Sequence, residues 1–204
     1  MLIRQCDFIV HPGYLSDPHV ASDLSHLSHV PAIASVIDQF RIRTEKLFDT
    51  YQQRLLSLSS DHMVLVFLYE HRDQFFENEQ EGRGRQISFV KQLCKDFGSR
   101  ALVISDDEIC ITDPDKLRRT VNQCMEKNGL SMKENLKSFA YGEMIGACVD
   151  QIADCANQSL QLSTKTIILP ECCGVDLCMM PSASEIPELA VEQEEVYAHI
   201  HYSR

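Results

Sequence analysis

Two short, unbroken apolar runs constrain this chain more than any other feature. Met63-Val64-Leu65-Val66-Phe67-Leu68 and Ala101-Leu102-Val103-Ile104 show no polar alternation. Each therefore reads as a strand covered by packed elements on both faces, not as a half-solvated strand. Strands of that kind need helices above and below, and the chain supplies them in alternation. Phe8-Ile9-Val10 is a first short strand, turned by His11-Pro12-Gly13-Tyr14. Asp17-Pro18 then starts a helix with Val20, Leu24 and Leu27 at helical spacing, interrupted at Pro31. A longer helix runs from about Ala32 to Leu58 on a stripe of Ile33, Ile37, Phe40, Leu47, Tyr51, Leu55 and Leu58. After the Met63–Leu68 strand, Ile87, Val90, Cys94 and Phe97 mark a helix that Gly98 ends.

The second half repeats the pattern. Asp113-Pro114 opens a helix through Leu117 and Val121 to Cys124 or Met125, ended by Gly129. Leu136 to Tyr141 is a weaker strand. Gly142-Glu143 opens a patterned helix with Ile145, Cys148, Val149, Ile152, Ala156 and Leu160, and Thr166 to Leu169 is the last clear strand. This alternation predicts an α/β protein: a three-layer α/β/α, Rossmann-like domain with a mainly parallel sheet. The domain is expected over residues 1–181. Residues 182–204 form an acidic C-terminal segment, either a tail or a docked helix.

Charge and cysteine content narrow the setting. The 204 residues carry a formal net charge of -11. That argues against a duplex-wrapping nucleic-acid binder, whose affinity rests on neutralising phosphates. The nine cysteines have no paired-loop spacing, and several fall on apolar stripes where a free thiol acts as a small hydrophobe. There is no long apolar h-region at the N-terminus and no run approaching the roughly 20 apolar residues that cross a bilayer. A cytoplasmic protein with reduced thiols, no membrane partner, no nucleic-acid partner and no cofactor is expected. The long helix 32–58 either covers the sheet or also provides a homo-oligomer seam.

On open α/β sheets, ligands bind outside the carboxyl ends of the strands. The residues just after each strand are thus the candidates for chemistry: His11 and Tyr14; Glu70, His71 and Arg72; Ser105, Asp106 and Asp107; Tyr141 and Glu143; Glu171, Cys172 and Cys173. Cys148 lies about one turn into its helix when that helix is counted from Gly142. Thiols near helix N-termini are favoured as thiolates by the unpaired N–H groups and the helix dipole, and a base such as His11 or Asp106 would complete a nucleophilic site. The same residue lies on the apolar stripe of Ile145, Val149 and Ile152, which equally gives it a place in the core.

Gly142-Glu-Met-Ile-Gly-Ala-Cys148-Val149-Asp-Gln-Ile-Ala153 resembles the nucleophile helix of the isochorismatase-like cysteine hydrolases: glycine, five residues, Cys-Val, three residues, alanine, then an apolar strand. Ile111-Thr112-Asp113 with Leu117 is similar to the helix start that precedes that family's nucleophile strand. The likeness covers residues 111–173 and implies an α/β hydrolase with Cys148 as nucleophile. The chain departs from the family at two points. An aspartate should end the first strand, where His11-Pro12-Gly13 stands, and a lysine should precede Thr112, where Ser105-Asp106-Asp107-Glu108 contains none.

Three further groupings have weaker chemistry. His19, Asp23 and His26, with His29 nearby, share a helix face that suits a transition metal or a solvated surface. Cys172-Cys173 with Cys178 lacks the second pair that a zinc site needs. Gly82-Arg83-Gly84-Arg85 precedes a helix but matches neither the P-loop nor the dinucleotide pattern.

The functional expectation is a small-molecule hydrolase at the strand-end rim. Its catalytic candidates are Cys148, His11 and Asp106, and Tyr14, Glu70, His71, Arg72, Glu143 and Glu171 hold the substrate. The alternatives are a non-catalytic α/β domain that binds a small molecule or protein, and a metal-dependent enzyme using His11, His71 and strand-end carboxylates.

Overall fold

In the computed structural model, the described residues are 1–13, 46–69, 76, 84–105, 113–145, 148–160, 162 and 164–176. The most apolar stretch of the N-terminus lies at the centre of the sheet. β1 (Leu2–Val10) pairs in parallel with β2 (His62–Leu68) on one side and β4 (Ser131–Gly142) on the other. β3 (Ala101–Ser105) extends the sheet beyond β2, and the short β6 (Ile167–Ile168) extends it beyond β4. The order is β3-β2-β1-β4-β6, all parallel. A separate two-stranded ladder joins β5 (Met144–Ile145) to β7 (Val175–Asp176).

Helices cover both faces, as doubly buried strands require. The helical residues 46–56 (α1) and α2 (Gly84–Phe97) pack on one face. There Leu47, Phe48, Tyr51, Ile87, Phe89, Val90 and Leu93 meet Ile9, Val64, Val66, Leu68 and Val103. α3 (Pro114–Lys127) and α4 (Cys148–Ser159) cover the other. Leu117, Val121, Met125, Val149 and Ile152 pack there on Cys6, Phe8, Val10, Met63, Leu65 and Phe67. Each fully buried large apolar side chain contributes about 1.5–3 kcal/mol, so these two layers hold the fold. α3 begins as its sequence suggests, with Pro114 in the first turn and the Asp113 carboxylate accepting the Lys116 N–H at 2.9 Å. This is the three-layer, Rossmann-like α/β architecture expected from the apolar runs.

Three elements differ from expectation. β1 is nine residues long, although its apolar signal is confined to Phe8–Val10. β4 is twelve residues long, because Ser131 and Met132 at its polar start pair with Leu2 and Ile3, before a register shift between Ile3 and Gln5. Asn135 has φ +68 there, which breaks the two-residue alternation that would have revealed the strand. Gly142-Glu143 does not open a helix. The Glu143 N–H donates to Val10 O (3.1 Å) and the Gly142 carbonyl accepts the Gly174 N–H (2.9 Å), so this backbone belongs to the sheets, and α4 starts at Cys148.

Candidate functional site

Strand order reverses at β1. The chain moves outward from β1 to β2 and β3, then returns to lay β4 on the other side of β1. In open α/β sheets that reversal leaves a crevice at the carboxyl ends of the two strands, between helices on opposite faces. Here Val10 and Gly142 are register partners at that point. A Cβ on Gly142 would lie 2.1 Å from the Val10 carbonyl oxygen, so only glycine permits the two strand ends to approach this closely.

Glu143 follows directly and is buried, with 1% of its surface exposed. Its Oε1 accepts the Gly13 N–H at 2.9 Å. The Gly13 carbonyl accepts the Gln86 Nε2–H at 3.2 Å, from the first turn of α2. Gly13 has φ +85, and a Cβ there would lie 2.1 Å from Gln86 Cγ. The turn after β1 is thus clamped from β4 and from α2. His11 precedes it at φ +50. Its N–H donates to Phe67 O (2.8 Å), and its ring meets Tyr69 edge-on at 6.2 Å. Ser105, at the end of β3, is buried as well.

A second polar group lies beneath this rim, between the sheet and α1. Asp7 sits mid-strand in β1 with no exposed surface, and Arg54 of α1 meets it with two hydrogen bonds, Nε to Oδ2 at 2.9 Å and Nη2 to Oδ1 at 3.2 Å. The Tyr141 hydroxyl donates to the same Oδ2 at 3.1 Å, and the guanidinium lies 4.7 Å from the Phe139 ring centroid. Burial opposes charge on Arg54, but the hydrogen bond and attraction of Asp7 win and hold its guanidinium protonated above its usual range. Burial pushes the Tyr141 phenol up, and Asp7 adds to this. Tyr51 is fully buried beside them. Burial, then the Glu143 charge, keep its phenol protonated, and among the described residues its hydroxyl has no hydrogen-bond partner.

The thiols divide clearly. All seven described cysteines are free. Burial pushes up Cys6 and Cys172, and drives Cys173 to about 12, with Asp7 adding to the first and Glu171 to the second. Those three are poor nucleophiles. Cys148 is the first residue of α4, partly exposed, and rests against the core that α3 and α4 share.

Of the sequence candidates, the structure brings His11 and Glu143 to the β1–β4 end, and Cys148 to the helix following β5. Glu171 lies on the short 3-10 turn Pro170–Cys172 after β6 and is exposed. Tyr14, Glu70, His71, Arg72 and Asp106 lie outside the described residues, as do His19, Asp23, His26 and His29, Cys178, the Gly82-Arg83 pair and the acidic segment 182–204. Arg85 is on α2, exposed, paired with Asp49 at 3.1 Å and stacked near Phe48. No group of metal-ligating side chains forms among the described residues, and no helix among them is long and apolar enough to cross a membrane.

Sequence reasoning missed Asp7, Arg54, Tyr51 and Gln86. Asp7 alone left a signal, as the single charge inside the apolar run Cys6–Val10.

The opposite end of the sheet has its own polar turn. His62 Nδ1 accepts the Ser59 N–H (3.2 Å) and faces the Ser59 hydroxyl at 2.9 Å, while Arg100 Nη1 donates to the His62 carbonyl at 2.9 Å. Asp61 pairs with the Ser59 hydroxyl and lies 3.7 Å from Arg4 Nε.

Fold and site together define a Rossmann-like α/β protein with a buried carboxylate at its switch point and a separate buried ion pair beneath it. Compared with known protein families, with curated proteins and with solved structures, the chain finds no match in any of the three.

Proposed function

We infer that this chain binds a small molecule at the β1–β4 switch point and hydrolyses it, with Cys148 as nucleophile and His11 as base. One observation carries the reading: Cys148 begins α4 just past the switch-point strand, partly exposed, whereas Cys6, Cys172 and Cys173 are silenced by burial. The unpaired N–H groups of a helix's first turn are suited to holding negative charge. In the reaction the sulfur bonds to a carbonyl carbon and the leaving group departs with a proton from the base. Water then cleaves the thioester and restores the thiol. The strand-then-Cys148-helix order also supports the resemblance to isochorismatase-like hydrolases. That seven described cysteines are all free supports a reducing, cytoplasmic setting.

A specific observation favours the second reading, a non-catalytic small-molecule binder. Glu143 already accepts the Gly13 N–H, and the aspartate and lysine of the resembled family are missing from His11-Pro12-Gly13, which follows β1, and from Ser105-Asp106-Asp107-Glu108.

Limited alkylation with iodoacetamide separates the two. On the hydrolase reading Cys148 is modified ahead of Cys124, which is also partly exposed, and modification stops turnover of small activated esters. Cys148→Ser then lowers that turnover on the order of a thousandfold. Unchanged turnover in Cys148→Ser, or no turnover by the unmodified chain, leaves the binding reading.

A further inference from the structure

The sequence contains one Asn-Gly step, Asn128-Gly129. Glycine is the following residue that most favours attack of its backbone nitrogen on an asparagine side chain, because no Cβ stands in the way. The fold places this step at the C-terminal end of α3 and just before β4, at the opposite end of the sheet from the β1–β4 crevice. Both residues are exposed. Gly129 has φ +62, and a Cβ built on it would meet nothing within 4 Å, so the surroundings leave the backbone room to turn.

Asn128 is also the cap of α3. Its Nδ2 donates to Cys124 O at 2.7 Å and lies 3.5 Å from Cys124 Sγ. Its own N–H reaches Cys124 O (3.1 Å) and Met125 O (3.2 Å), and the Gly129 N–H donates to Glu126 O at 3.2 Å. While those bonds hold, with ψ at 6° for Asn128, the side-chain amide and the Gly129 nitrogen are tied to different carbonyls. They are the last bonds of a helix and lie at exposed residues, where local opening is frequent.

We propose that Asn128 is a modification site, at which the folded chain slowly converts its own asparagine to aspartate and isoaspartate and so loosens the junction between α3 and β4. The reaction proceeds from the frayed last turn. The Gly129 nitrogen bonds to Asn128 Cγ, the Cγ–Nδ2 bond breaks, and ammonia leaves with the Gly129 amide proton. Water then opens the succinimide at either of its carbonyls, leaving one peptide bond and one carboxylate. Neither product caps α3 as asparagine does. A carboxylate has no N–H to offer Cys124 O, and it adds negative charge where the helix dipole is already negative. Isoaspartate also puts an extra methylene into the main chain just before Leu130, whose N–H donates to Met125 O at 2.8 Å. The next residue, Ser131, donates to Met1 O at 3.0 Å and is the register partner of Leu2. A change at one exposed side chain thus reaches the first pairing of β4 with the central strand.

The test uses the full chain, aged at mildly alkaline pH in heavy-oxygen water and then digested with trypsin in ordinary water. Only hydrolysis during ageing labels the new carboxyl group. The expected result is label in peptide 128–133, split between two chromatographic forms. It accumulates about tenfold faster than at Asn122, Asn135 or Asn157, none of which precedes a glycine. Asn128→Asp shows the effect on the fold directly: native-state exchange of the Leu130 amide is expected to speed up about two- to fivefold, and by more than that of Leu65 at the centre of the sheet. An unlabelled peptide 128–133, or one labelled no faster than Asn135, overturns the site. A Leu130 amide as well protected in Asn128→Asp as in the parent chain overturns its effect on the α3–β4 junction.

Discussion

Asp7 brings a charge into the middle of the central strand, where no water reaches it. The cost of burying an ion is several kcal/mol, and the Arg54 fork with the Tyr141 hydroxyl offsets it. Removing one partner is therefore worse than removing both. Arg54→Met is expected to lower unfolding free energy by about 3–5 kcal/mol, and Asp7→Leu combined with Arg54→Met to recover a substantial part of that loss in urea titrations. The two buried tyrosines should respond in opposite senses. Tyr141→Phe removes a hydrogen bond to a carboxylate and costs about 1.5–3 kcal/mol, while Tyr51→Phe removes an unused donor and leaves the melting temperature unchanged or higher. His62 adds a pH dependence. Burial lowers its pKa from the usual 6.5, so the unfolded chain takes up the proton first as pH falls. Its contribution is thus fully present above about pH 6.5 and is lost as pH falls through the lower native value. The acid-side drop in melting temperature is expected to be shallower in His62→Gln than in the parent chain.

At the scale of the element, the doubly covered strands were legible because every position in them is apolar: β2 and β3 match their runs to within one residue at each end. β4 was half-hidden. Of its first five residues only Ser131 and Met132 pair with β1, and only Met132 is partly buried while Lys133, Glu134 and Asn135 are exposed, so side-chain pattern could not register them. The start of α4 was misplaced for a related reason. Ile145, Cys148, Val149 and Ile152 keep helical spacing, but spacing cannot show that the backbone at 142–143 is already bonded to β1 and to Gly174. The site was legible only as a rim. His11 and Glu143 stand where strand ends put them, while the contributions of Asp7, Tyr51 and Gln86 depend on contacts between segments far apart in sequence. Gly142 is where these constraints meet. Gly142→Ala places a methyl 2.1 Å from a backbone oxygen that cannot move without breaking the β1–β4 pairing. The loss is expected to exceed about 3 kcal/mol, and circular dichroism melts of that variant beside Gly129→Ala, where a Cβ meets nothing within 4 Å, would show whether close approach or φ strain dominates.

Across the whole molecule, the chain order makes the centre of the sheet depend on its late segments. β1 cannot complete its pairing until β4 arrives, since Leu2 pairs with Ser131 and Val10 with Gly142. Long-range parallel pairing of this kind forms slowly and opens as a unit. The amides of Phe8, Ile9, Leu65 and Val66 should therefore exchange with solvent only through global unfolding, whereas Ile167 and Ile168, in a two-residue edge strand, exchange by local opening. α1 tests how the layers are joined. Its apolar residues Leu47, Phe48 and Tyr51 pack on the sheet, and Arg54 adds the buried link to Asp7 one turn further on. If that link fastens the layer, native-state hydrogen exchange of Arg54→Met shows residues 50–56 losing protection well before β2 does, while in the parent chain the helix exchanges at rates close to those of the sheet. Equal protection losses in α1 and β2 would mean instead that the apolar contacts alone hold the helix, and that the buried pair contributes only to the stability of the whole.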